Sequence, residues 1–187
     1  MSQQDLLDRL ETDLRNLLNQ ARTQFSQLGP DTLRQRRQPE AWNILECFAH
    51  LNQFYEDYLP QLDLAIHKAK ARRWMPGETV AYKSRGRRAI RRADPENGKQ
   101  FKSPKACDFI HLPVANEGIK SFIINSERLL RIIQAARTID INRASVKKAR
   151  SWVGKYTVGN LLEFLIVHAD RHLRQARQLL PHSHLNN

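Results

Sequence analysis

The chain has 187 residues, 41% of them hydrophobic, a length that suits one domain with its own core and needs neither disulfides nor a structural metal to fold. Cys47 and Cys107 are too few for a disulfide framework, no apolar run is long enough to span a bilayer, and residues 1–5 lack the order of a secretion signal. A reduced, cytoplasmic setting is therefore expected, and a membrane partner is not. The net charge of +12 is concentrated in residues 68–105, where 13 basic residues face Glu78, Asp94 and Glu96. The rest of the chain is close to neutral, so the charge describes one segment rather than the fold.

Residues 4–28 repeat apolar side chains at helical spacing (Leu7, Leu10, Leu14, Leu17, Leu18, Ala21, Phe25 and Leu28), and Gly29-Pro30 stops the helix. A polar connection follows. A second helix is predicted from near Ala41 to about Ala71, on the stripe Ile44, Leu45, Phe48, Leu51, Tyr55, Leu59, Leu62 and Ile66. Pro60 falls inside it and predicts a kink or break.

Residues 73–112 show no sustained period and read as a long basic crossover, with a short helix around Arg85–Arg92. A short link forces neighbouring helices antiparallel, whereas some 40 residues can return to the other end and make helices two and three parallel. Pro113 is predicted to open a third helix that runs to about Ile139. A basic linker leads to Trp152, Gly154 and Tyr156, and Thr157 is the expected N-cap of a last helix over Val158 to Leu180. Residues 181–187, with His182 and His184, read as a flexible tail. The architecture expected is all-α, a single four-helix domain over 1–187.

On the last helix the apolar stripe is Val158, Leu161, Leu162, Leu165, Ala169, Ala176, Leu179 and Leu180. His168 and His172 fall inside it, while Glu163, Asp170, Arg174 and Arg177 fall on the opposite face. Spacing of four puts both imidazoles on one side of the helix, close enough to chelate one ion. A single inward histidine is more often a hydrogen-bonded core residue than a ligand, and two of them each need a polar partner. His50, on the flank of the second stripe, is a third candidate or a half-solvated boundary residue. At this level both readings stand.

Trp42-Asn43-Ile44-Leu45-Glu46-Cys47-Phe48-Ala49-His50-Leu51 resembles the W-x-x-x-E-x-x-x-H-L signature of the DinB-like metal-binding four-helix bundles. His168-Ala169-Asp170-Arg171-His172-Leu173-Arg174-Gln175 resembles the final H-x-x-R-H-L-x-Q segment of the same family. The resemblance covers most of the chain and implies up-down-down-up connectivity with the long crossover between helices two and three. It also implies one divalent metal on His50, His168 and His172. Related families include thiol-dependent S-transferases and a thiol-dependent isomerase, so a low-molecular-weight thiol is a possible second cofactor. The basic segment 68–105 is longer and more charged than that family leads one to expect.

Three imidazoles leave a position open for water or substrate, as in catalytic zinc sites. Zinc, nickel, iron and manganese all suit such donors. The expected function is a metal-dependent hydrolase or thiol transferase acting on a small molecule. Glu46 is a candidate general base, an orienting partner for His50, or a helix-terminus carboxylate. Gln175 is a candidate ligand contact. Arg87, Arg88, Arg91 and Arg92 read as a solvated crossover, as a grip for carboxylates or phosphate, or as a nucleic-acid surface. The alternatives to an enzyme are an anion- or nucleic-acid-binding module and a non-catalytic interaction protein. A homodimer is a further expectation.

Overall fold

The structure is a computed structural model that describes residues 1–97, 103, 105–147 and 154–180. Trp152, His182, His184 and the expected tail lie outside the described residues. Among the described residues there are six α-helices, three short π or 3₁₀ turns and one small two-stranded sheet, so the fold is mostly helical.

Helix α1 (Gln3–Gln20) opens with a reciprocal cap, in which the Ser2 hydroxyl accepts from the Asp5 amide and the Asp5 carboxylate accepts from the Ser2 amide. Its leucines Leu6, Leu7, Leu10, Leu14, Leu17 and Leu18 are buried. A wider π turn over Ala21–Phe25 follows and brings Phe25 into the core. After α2 (Pro30–Arg34), helix α3 runs over Ile44–Ala71, capped by Asn43 and Glu46 in the same reciprocal manner. Of the kink or break expected at Pro60, the break does not occur: α3 is continuous through it. Pro60 sits on the exposed side, where water can take the carbonyl that its ring frees.

The crossover carries α4 (Ser84–Ala93), at the predicted place, and two single 3₁₀ turns. Helix α5 (Gly118–Ala136) begins later than Pro113 and ends before Ile139. Residues 113–117 offer no apolar repeat to bury, and the stripe starts only at Ile119. The basic linker holds an unexpected antiparallel hairpin, β1 (Ser145–Lys147) and β2 (Lys155–Thr157), with Val146 opposite Tyr156. Thr157 ends β2 and caps α6 (Val158–Arg177), its hydroxyl accepting from the Asn160 amide.

Helix α1 packs on α5 and α6, and α3 packs on the same two. Between them the aromatic core interlocks edge to face, with Phe48 5.3 Å from Phe25 and 5.2 Å from Phe122. The outer face of α6 is not bare, because α4 lies on it. Gly86 makes that close approach possible, since a side chain there would collide with Asn160. Asn160 in turn accepts from the Lys83 amide at 3.2 Å and donates to the Ala81 carbonyl at 3.3 Å. Glu163 departs from its expected outward position: it is buried and paired with Arg9 of α1 at 2.6 Å. Glu163 lies on the edge where α6 meets α1, and the arginine compensates the charge.

Candidate metal centre

Helix α3 delivers His50 about two turns after its cap, and α6 delivers His168 and His172 one turn apart. All three side chains are buried, and their ring nitrogens converge. His168 Nε2 lies 3.1 Å from His50 Nε2 and 3.2 Å from His172 Nε2.

The opposite ring nitrogens fix the tautomers. His50 Nδ1 lies 2.7 Å from the Cys107 carbonyl, which only accepts, so that nitrogen carries the hydrogen. His172 Nδ1 lies 3.1 Å from Gln175 Oε1, and the same reasoning applies. Both Nε2 atoms are then bare lone pairs aimed at His168. His168 Nδ1 is buried without a partner among the described residues.

A neutral His168 has one hydrogen to offer, and at Nε2 it can satisfy only one neighbour. At least one pair of lone pairs is left facing without a proton between them. Extra protons are disfavoured, because burial lowers the pKa of His50 to about 4 and of His172 to about 3. His168 is pushed well below its usual range, first by burial and then by the neighbouring histidines. A cation among the three nitrogens resolves this conflict. Two imidazoles bound at about 2.0–2.1 Å to one tetrahedral ion stand roughly 3.3–3.4 Å apart, close to the spacing seen. The donor set fits a divalent first-row metal.

Aromatic rings wall the cluster. Trp42 lies 4.8 Å from the ring of His50 and 5.6 Å from that of His172. Phe54 sits 4.5 Å from His168 on a second side, and Phe164 stacks on His168 at 5.3 Å and 13°. Such walls exclude water and hold the rings in orientation. The Trp42 indole donates to Asp108 at 3.1 Å, which ties this wall to the crossover.

Glu46 does not reach the cluster through any bond to its oxygens. Arg36 grips both at 2.5 and 2.7 Å, and the amides of Asn43 and His111 each add a bond of 2.9 Å. His111 takes a left-handed backbone (φ 57°) to present that amide. The carboxylate thus closes the start of α3 and pins the loop that follows Cys107. Gln175 meets His172 directly. The four arginines divide: Arg88 and Arg92 line a cleft with Arg85, whereas Arg87 donates to the Tyr82 carbonyl on another face of α4. Arg91 is exposed and does not line the cleft.

Sequence reasoning missed the Cys107 carbonyl, because any residue can supply one. It also missed Arg36 as the partner of Glu46, and the pairing of Phe54 with Phe164. Their spacing, four residues from His50 and from His168, was the available signal for the last of these.

A family model of the DinB superfamily matches residues 6–176. No curated protein and no solved structure matches the chain. Among the described residues, no helix is long and apolar enough to cross a membrane.

Proposed function

The chain belongs to the DinB superfamily, and from that premise we propose that it is a metal-dependent enzyme acting on a small molecule. His50, His168 and His172 are its protein ligands to one divalent ion, within a four-helix bundle of up-down-down-up connectivity. The observation that carries the reading is the convergence of three Nε2 atoms whose protons cannot satisfy them all.

The connectivity is supported by contacts between helices. Asp8 and Glu11 of α1 meet Arg137 just past α5, while Arg22 meets Glu127, an antiparallel order. Phe48 meets Phe122 and Asp63 meets Arg128, an order that supports parallel α3 and α5. His50 meets His168 and Phe54 meets Phe164, an order that supports antiparallel α3 and α6.

A bound ion of this kind supplies an open coordination position that lowers the pKa of water to about 7 or holds a thiolate. The chain's own residues do the rest. The Cys107 carbonyl and Gln175 keep the hydrogens of His50 and His172 on the outer nitrogens, so both inner nitrogens keep a lone pair for the ion. Trp42, Phe54 and Phe164 keep the pocket dry, which strengthens every electrostatic contact inside it.

Elemental analysis of protein expressed with added zinc, nickel, iron or manganese tests this. About one ion per chain is expected, falling below about 0.2 in His168→Ala and His172→Ala. Wild-type protein with less than about 0.2 ion per chain overturns the proposal.

A further inference from the structure

We propose that the cleft between α4 and β2 binds a small phosphate-bearing anion, held by Arg85, Arg88, Arg92 and Lys155. This site does not depend on the histidine cluster.

The cleft has a volume of about 360 Å³, and these four cations line it with Gly154 and Tyr156, with no carboxylate among the described residues. That volume lies in the range of small-ligand pockets and is far too small for a duplex. Arg85, Arg88 and Arg92 follow one another at helical spacing, so α4 presents one stripe of guanidinium groups to Lys155. Placing Arg85, Arg88 and Lys155 around one cavity sets like charges together, which is unfavourable by itself, and an anion reverses the sign of that interaction. Guanidinium forks match phosphate oxygens in pairs, which lysines on a general electrostatic surface do not.

The cluster is also fixed in place. Gly86 seats α4 directly on Asn160, and Arg171 of α6 donates to the Arg92 carbonyl at 3.1 Å near the end of α4. Gly154, at φ +116°, leaves the space that the Arg85 guanidinium occupies, for a side chain there would collide with it. Tyr156 forms the apolar wall, backed by Phe164 at 6.3 Å and 9°.

Isothermal titration of the full chain with inorganic pyrophosphate at low ionic strength is the test. Saturable binding of one pyrophosphate per chain is expected. Arg88→Gln with Lys155→Gln should weaken it at least about tenfold, and the charge-retaining Arg88→Lys at least about threefold. Arg87→Gln with Arg91→Gln removes the same charge from outside the cleft and should change it less than about threefold. No saturable binding, or equal weakening by the two pairs, overturns the site. Because pyrophosphate also binds metals, His168→Ala must keep the affinity within about threefold, and its loss there overturns the proposal too. Tighter binding of a short DNA duplex, weakened equally by both pairs, would assign the charge to nucleic acid and overturn it as well. Metal content should stay unchanged in Arg88→Gln, so failure of this site and failure of the metal centre are separately visible.

Discussion

Trp42 lies against His172 with ring centroids 5.6 Å apart and planes 25° from parallel, so a side chain just ahead of α3 covers a ring presented by α6. Trp42 is therefore part of the wall around the histidine cluster. Metal binding should change the indole fluorescence, and Trp42→Phe should remove most of that change. The same variant should lose metal to a chelator faster than wild type. An unchanged titration curve in Trp42→Phe would show that the indole does not cover the site.

Gln175 has a single assigned role, to accept the hydrogen on His172 Nδ1. Gln175→Leu should lower metal affinity about 10- to 100-fold and metal-free stability by about 1–3 kcal/mol, since the buried His172 Nδ1 hydrogen loses its acceptor. Gln175→Glu should restore affinity, because a carboxylate is the stronger acceptor. Competition with a chelator of known affinity measures both.

Glu46 presents a clean contrast between two roles. As the buried anchor of Arg36 and two amides, Glu46→Gln should cost at least about 2 kcal/mol, because donors then face the new amide hydrogens. For a chain of this size that is a drop in Tm of roughly 4–8 °C. A residue serving only as a proton acceptor in the reaction would leave Tm where it was. Thermal melts of the metal-free proteins decide between them.

Acidification should destabilise the metal-free chain. Burial holds the histidine pKa values down in the folded state, to about 4 for His50 and about 3 for His172. Unfolded, they return to about 6.5. Below that pH the unfolded chain takes up protons first, so stability present above it is lost as pH falls toward 4 and below. Urea midpoints at pH 7.5 and 5.0 should differ more in wild type than in His168→Ala/His172→Ala. Bound metal should delay the loss.

Gly86→Ala opposes two effects of different size. Replacing glycine inside a helix gains about 0.5–1 kcal/mol. The collision with Asn160, which is anchored to Lys83 and Ala81, costs about 1–3 kcal/mol. A net loss is expected in a thermal melt, together with weaker pyrophosphate binding and unchanged metal content.

Much of this was legible in the residues, for identifiable reasons. Long helices with apolar stripes announce themselves, and Thr157 capped α6 where its side chain said it would. The inward aim of His168 and His172 followed from a rotation of 100° per residue. What stayed hidden has no side-chain pattern. Strands of three residues are too short to show alternation, so β1 and β2 were invisible. Glu163 read as outward because helical phase says nothing about a neighbour such as α1 standing at the edge of the stripe. Pro60 predicted a kink or break, and the helix is continuous through it because its ring faces water, which a sequence does not reveal.

The two supporting acceptors of the cluster differ in kind, and this shapes what can be changed. His172 leans on a side chain, so one substitution at residue 175 can raise or lower the electron density on that imidazole. His50 leans on the main-chain oxygen of Cys107, which every amino acid at that position would also provide. Mutation can tune one donor nearly at will, whereas the other answers only to displacement of the crossover backbone itself.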